Sequence, residues 1–288
     1  MTDLPHLKAM RLTVCGAIAT VTIDNPPLNL LDAVLFADLD RLGQWLESDT
    51  DLRVVVFESA NADFFIAHAD LEMLEGLSRT IQPRLSQPSP HQQTIERFRT
   101  LPQVTIGKLE GIARGGGSEF LLALDMRFGA LDRAILGQPE VALGFPPGCG
   151  ATQRLPRLVG RAHALEAILG GGDYDAQDAA RIGWLNRALP ANELGDFIDN
   201  LARRIASYPR MAIMAAKSAI DTSAPTLREG LCDEFQAFHV AYGSDDAQLR
   251  MKRAMARGFQ TKAVETVPLE SWLVALSDTA IDQEGKSL

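Results

Sequence analysis

Apolar residues recur along this chain with two periods, and the change between them marks its elements. Over residues 11–24 the pattern is strand-like, with Leu12, Val14, Ile18, Val21 and Ile23 set around a turn at Gly16. Asn25-Pro26-Pro27-Leu28-Asn29 interrupts it as a loop, and Asp32 is placed to cap the next segment. From there to Glu47, Val34, Leu35, Leu39, Leu42 and Leu46 recur at helical spacing. Residues 53–57 are short, continuous and rich in valine, which predicts a buried parallel strand, and 104–106 predict a second. Strand, helix, strand, loop, strand and a glycine-started helix is an α/β order.

Residues 78–93 between these strands are rich in Ser, Gln and Pro. They predict a mobile surface segment, either a lid over a pocket or a loop without a role. After Leu189-Pro190 the character becomes helical, over 193–207, 212–222, 226–242 and 245–257, with Pro209 between the first two and Gly243 ending the third. A boundary is therefore expected near 190–200. It divides a core of residues 1–195, carrying the site, from a helical region of 196–288 that packs on the core or on a neighbouring subunit. The tail after Gln260 is too short to fold alone. No internal repeat or heptad run stands out.

Composition narrows the function classes. With 288 residues, 46% hydrophobic and 23% charged, the chain has the make-up of an ordinary globular protein. A net charge of -9 argues against nucleic acid or an anionic membrane surface as the main partner, though not against a small anionic ligand. Cys15, Cys149 and Cys232 are scattered and odd in number, so neither a disulfide framework nor a Cys-based zinc site is indicated. The first eight residues hold no signal-like apolar run and no later stretch reaches the length of a membrane span, so a cytoplasmic location is expected. No two of the histidines stand at metal-ligand spacing, no G-x-S-x-G elbow occurs, and no glycine pattern matches a phosphate loop or dinucleotide fingerprint. Neither a metal nor a redox cofactor is expected.

The chemistry concentrates in Gly115-Gly116-Gly117-Ser118-Glu119 and Gly137-Gln138-Pro139-Glu140. Three glycines let backbone N–H groups approach a ligand closely. A helix starting there aims unpaired donors and its positive end at the same spot, which suits an oxygen that becomes negative during reaction. Two glutamates near it could supply acid and base. Taken alone, Glu119 could be only a first-turn acid favoured by the helix dipole, and Glu140 only a loop charge paired with Arg154 or Arg157.

Residues 111–119, Gly-Ile-Ala-Arg-Gly-Gly-Gly-Ser-Glu, with Asp125, resemble the first signature of the enoyl-CoA hydratase/isomerase (crotonase) family. The run Gly137-Gln138-Pro139-Glu140, Leu143-Gly144, Pro147-Gly148, Thr152-Gln153-Arg154-Leu155, Arg157 and Gly160 resembles the second. Asn25-Pro26 with Asn29, and residues 65–71, Phe-Ile-Ala-His-Ala-Asp-Leu, extend the match over roughly the first two-thirds of the chain. The resemblance implies a crotonase-like core of repeated ββα units, a helical C-terminal region and a homotrimer or homohexamer. It implies an acyl-CoA thioester substrate, coenzyme A being part of that substrate and no further cofactor being needed. Its oxyanion donors fall on the Ala69 and Gly116 amides, and its substrate contacts on Ala67, His68, Asp70, Leu71 and Gly115. Glu119 would activate water and Glu140 would deliver the proton to the α-carbon. Retention of both glutamates favours a hydratase. Another reaction on this scaffold (isomerase, decarboxylase or thioester hydrolase) and a CoA-ester-binding protein without turnover are the alternatives.

His68 stands where the pattern usually has glycine. Either it touches the acyl group or the water, or its side chain points away and packs against the flexible segment; the second is the expectation. Asp70 is expected to work mainly as a helix cap, and Arg154 and Arg157 as ion-pair partners rather than phosphate ligands. Arg257-Gly258-Phe259-Gln260 replaces the family's more basic helix end, which leaves the phosphate ligands unassigned; Arg250, Lys252 and Arg253 are candidates or only a solvated helix face.

Overall fold

The computed structural model describes residues 4–80, 83–223 and 226–276. Residues 81–82 of the Pro-rich segment, the first three residues and the tail beyond 276 lie outside them.

Gly16, with φ of +59°, turns β1 (Met10–Cys15) back on β2 (Ile18–Ile23) as an antiparallel pair. Asp32 caps α1 (Ala33–Ser48) by accepting from the Leu35 amide. The chain then repeats one pattern, in which a strand of a larger sheet is followed by a short strand of a smaller sheet and a helix. The repeats are β3 (Val54–Ser59), β4 (Phe64–Ile66) and α2 (Leu71–Glu75) with α3 (Pro90–Thr100); β5 (Val104–Leu109), β6 (Ile112–Arg114) and α4 (Gly116–Ala123); then β7 (Met126–Ala130), β8 (Ile135–Gly137), a 3-10 turn (Glu140–Leu143) and α5 (Ala151–Gly170). β9 (Tyr174–Asp175), α6 (Ala176–Ile182) and β10 (Arg187–Leu189) close the sheets. The larger sheet runs β1-β2-β3-β5-β7-β10, parallel after its first pair, and the smaller runs β4-β6-β8-β9. The expected ββα repetition is therefore present, and the valine run of residues 53–57 is a central parallel strand as predicted.

Helices follow, as α7 (Ala191–Ala206), α8 (Arg210–Asp221), α9 (Arg228–Tyr242), α10 (Asp245–Ala256), α11 (Lys262–Glu265) and α12 (Leu269–Ala275). Leu194, Ile198 and Ala202 of α7 bury the open face of the larger sheet against Val54, Val56 and Ile106. The later helices build a separate apolar cluster in which Phe238, Tyr242, Met251, Leu269 and Leu273 meet Leu71, Leu143 and Phe145 of the ββα part. The segment read as a loop over 78–93 contains the start of α3, which is a correction. Ser89 accepts from the Gln92 amide, Gln92 accepts from the Ser89 amide, and Pro90 sits at the first turn. Its capping signal was masked by the Pro- and Gln-rich composition. No helix among the described residues is long and apolar enough to cross a membrane.

Candidate active site

The ends of β4, β6 and β8 bring the motifs together. Gly115 leaves β6 at φ 47° and ψ -125°, a conformation that favours glycine, and its N–H donates to Gly137 O at 2.9 Å. A Cβ there would lie 2.9 Å from Glu140 Oε1. Gly116 opens α4, so its amide has no partner in the preceding turn. Gly117 packs so tightly on β4 that a Cβ would stand 2.1 Å from Ile66 O.

Across from this turn, Asn29 donates to Ser59 Oγ at 2.8 Å and Phe65 O at 3.1 Å, holding the loop against β4. Leu31 then donates to His68 O and accepts from Asp70 N, a parallel bridge that leaves the Ala69 N–H facing the other way. The Ala69 nitrogen is 3.4 Å from where a Gly116 Cβ would be, so the two predicted donors are neighbours.

Two carboxyl groups face the same space in different surroundings. Glu119 is buried, and its Oε1 accepts from Cys149 N at 2.7 Å and Ala151 N at 3.0 Å, at the start of α5. Burial raises its pKa, while the Ala151 and Cys149 amides and the Arg154 charge resist that rise. Glu140 begins the 3-10 turn and, among the described residues, accepts from no backbone amide of another element. Burial, then the charges of Glu119 and Glu234, push its pKa well above the usual carboxylate range. Gln138 bridges Glu140 and Ser118 Oγ: with Glu140 ionised its amide donates to the carboxylate at 3.1 Å and accepts from Ser118 at 3.1 Å.

Glu234 of α9 is a third buried carboxyl, overlooked in the sequence. It accepts from Thr152 N at 3.0 Å, from Thr152 Oγ1 and from Gln92 Nε2 at 3.2 Å. Burial and the nearby Glu119 push its pKa to about 8. Its signal was an acid on the apolar face of a helix, between Leu231 and Phe238 at helical spacing. Arg154 pairs with Glu96 at 2.6 Å and donates to Cys149 O at 2.8 Å, the structural role expected of it.

His68 departs from expectation. Its ring is buried and lies against the C-terminal segment, not the Pro-rich one: Nε2 is 2.9 Å from Glu265 Oε1, and Phe259 stacks on it at 4.3 Å. Nδ1 is 2.8 Å from the Ala69 carbonyl oxygen. Its backbone is not left-handed, since Asn29 and Gln260 are the positive-φ non-glycine residues among those described. Burial opposes ionisation of Glu265, but His68, the Gln260 amide and Arg114 outweigh it and hold this carboxyl below its ordinary pKa. Arg114 also forks onto Asp173 at 2.9 and 2.6 Å, so the end of β6 and the tail share one polar network.

A cavity of about 300 Å3 joins these parts. Ala69, Gly116, Glu119 and Glu140 line it, with Gly115, Leu71 and one side of His68. Ala67 and Asp70 are not among the residues that line the cavity. The Ala67 N–H donates to Leu28 O and its carbonyl accepts from Arg114, which buries it in the loop packing. Asp70 caps α2 through the Glu72 amide and accepts from Gln260 Nε2 at 2.6 Å. Among the described residues no group of three His, Cys, Asp or Glu could hold a metal ion.

Known proteins share this sequence pattern and this fold. The family model described as enoyl-CoA hydratase/isomerase matches residues 13–259. The chain is 31% identical over 252 residues to a short-chain-enoyl-CoA hydratase of Clostridium acetobutylicum, covering 87% of this chain and 94% of that protein. It superposes on a candidate enoyl-CoA hydratase from Streptomyces avermitilis with a TM-score of 0.87 and 37% identity, covering 96% and 100% of the two chains. An enoyl-CoA hydratase from Bacillus anthracis gives a TM-score of 0.69 at 29% identity, over 87% and 96%.

Proposed function

The chain belongs to the enoyl-CoA hydratase/isomerase family, and on that premise we propose that it adds water across the 2,3 double bond of an enoyl-CoA thioester, or removes it in reverse. The observation that carries the proposal is the pair Glu119 and Glu140, buried on one cavity in unequal environments beside the Ala69 and Gly116 amides.

The thioester oxygen accepts from the Ala69 and Gly116 N–H groups. Loss of one such donor typically costs about 3 kcal/mol in the barrier. Glu119, whose ionised form is favoured by two amides, takes a proton from water as the water oxygen bonds to C3. The π electrons of the double bond move to C2 and the carbonyl, giving an enolate whose oxygen rests on the two amides. Glu140 stays protonated because burial and its acidic neighbours disfavour its charge, and it gives that proton to C2. Passage of the proton from Glu119 back to Glu140 restores the starting state. Leu71, Gly115 and the side of His68 that lines the cavity complete the substrate contacts in this reading.

The family resemblance also implies trimers or paired trimers, and we include that assembly in the proposal. Leu165 and Leu169, one turn apart after the break in α5 at Gly160, are exposed and give a copy of the chain apolar surface to cover. A cytoplasmic location belongs to the same reading.

The test follows the conjugated-thioester absorbance on mixing the protein with enoyl-CoA esters, alongside Glu119→Gln and Glu140→Gln. Loss of the absorbance with the parent, and a fall in rate on the order of 10²- to 10⁴-fold in each variant, is expected. Full hydration by Glu119→Gln would remove it from the role of base. Turnover that survives in Glu119→Gln but yields only a shifted double bond would point to an isomerase relying on Glu140.

A further inference from the structure

We infer that the acyl group this site selects is uncharged, apolar and of medium length, close to an octenoyl chain, rather than the four-carbon crotonyl group. The inference rests on the proposed enoyl-CoA hydration and concerns what fills the rest of the cavity.

Size is the first argument. An apolar cavity of about 150 Å3 holds one benzene, six heavy atoms. The cavity here is about 300 Å3, room for about twice that number at similar density. An octenoyl group with its thioester oxygen and sulfur and one water has about eleven heavy atoms, whereas a crotonyl group with the same additions has about seven. The shorter ligand would leave much of the space unfilled, and an unfilled apolar space forfeits its packing contacts.

The walls are the second argument. Leu71, Met73 and Leu74 of α2 face the cavity together with Phe145 and with Phe235 and Phe238 of α9. Among the described residues, Glu119 and Glu140 apart, no Asp, Glu, Lys or Arg lines it. His91 and His239 also border it, and burial lowers the pKa of both, which favours neutral rings. An acyl chain ending in a carboxylate would lose its hydration there and meet no Lys or Arg among the described residues, and one ending in an ammonium would meet a carboxyl only at the two reacting glutamates.

Rigidity is the third. Phe145 meets Phe238 edge-on at 5.2 Å, Phe238 stacks on Tyr242 at 5.5 Å, and the Tyr242 hydroxyl donates to Leu74 O. These contacts tie α9 to α2 and hold the two apolar walls apart, so the space is formed before the substrate arrives. A chain much longer than octenoyl exceeds the volume of about 300 Å3 between these walls.

The experiment measures kcat/KM for crotonyl-CoA, 2-octenoyl-CoA, 2-hexadecenoyl-CoA and an octenoyl ester ending in a carboxylate. Each methylene that leaves water is worth roughly fourfold in binding. Octenoyl is therefore expected to exceed crotonyl by about tenfold or more, mainly through a lower KM, and to exceed the other two. Met73→Trp, which fills the space, should lower the octenoyl-to-crotonyl ratio about tenfold, and Leu77→Ala should move the optimum to longer chains. The ratio within one preparation is independent of the fraction folded, so a poorly folding variant still reports. Equal or better use of crotonyl-CoA, with Met73→Trp leaving the ratio unchanged, overturns the inference while leaving the hydratase reading intact. Binding of the saturated butyryl- and octanoyl-CoA separates the opposite case. If no enoyl ester is turned over but octanoyl-CoA binds about tenfold more tightly than butyryl-CoA, the reaction is wrong and the pocket assignment stands. Equal binding overturns the pocket assignment as well.

Discussion

Gly116 and Gly117 are adjacent and meet different constraints. At Gly117 a methyl group would run into the Ile66 carbonyl at 2.1 Å, and backbone cannot swing aside like the end of a side chain. Gly117→Ala is expected to destabilise the fold by about 3 kcal/mol, read as a lower urea midpoint at unchanged slope. At Gly116 the methyl would meet the end of Leu31 at 3.0 Å and the Ala69 nitrogen at 3.4 Å, so folding survives while the space beside both amides fills. Gly116→Ala should keep most of its stability and lose on the order of 10²-fold in kcat, and the reverse ranking of the two variants would contradict the geometry. Both glutamates and this glycine turn were legible in the sequence because their relation is local, fixed by a turn, a helix start and a short parallel strand. Glu234 and Glu265 were not, because they arrive from far along the chain on helices whose apolar stripe hid them. The partner of His68 was hidden for the same reason, since it lies 197 residues away.

Elements act here through their ends and their docking. The start of α5 presents the Ala151 amide to Glu119, so a helix terminus, with its positive dipole end, supports the proposed base. Glu265 at the end of α11 gathers the His68 ring, the Gln260 amide and the Arg114 side chain, joining the tail to the strand ends beside the proposed oxyanion donors. Glu265→Ala leaves these buried partners without their acceptor, and a loss of about 3 kcal/mol is expected in urea unfolding. Limited proteolysis should then cut within residues 259–276 before the ββα part; an unchanged digestion pattern would mean that apolar packing of α12 alone secures the tail. Alternating, continuous and helical apolar patterns announced β1, β2, α1, β3, β5 and the long C-terminal helices well, with ends shifted by one to three residues. The three-residue strands β4, β6 and β8 were too short to show a period, and α3 lay hidden in a composition typical of loops.

For the whole molecule, pH joins the site to stability. In the proposed reaction Glu119 acts ionised and Glu140 protonated, and both carboxyl groups titrate above their ordinary value, Glu140 by more. A plot of kcat/KM against pH should therefore be bell-shaped, its acid limb set by Glu119 above the usual carboxylate range and its alkaline limb by Glu140; Glu140→Gln should lose the alkaline limb along with most of its rate. Stability runs one way. A carboxyl whose folded pKa is raised stabilises most at low pH and loses that contribution as pH rises. For Glu234 the loss spans its ordinary 4.5 to about 8, so the melting temperature of Glu234→Gln should fall less steeply than the parent's between those values. Light scattering should give three or six times the 31.3 kDa chain mass, and Leu165→Glu with Leu169→Glu should lower it; a monomeric parent would exclude the proposed assembly. The central claim is that water is added, and the most direct test is the mass of the product formed from 2-octenoyl-CoA in ¹⁸O-labelled water. Hydration predicts a 3-hydroxyacyl-CoA that is heavier by one labelled water, with the label on C3, and none from Glu119→Gln. A product of unchanged mass, or a free acid with released coenzyme A, would contradict it.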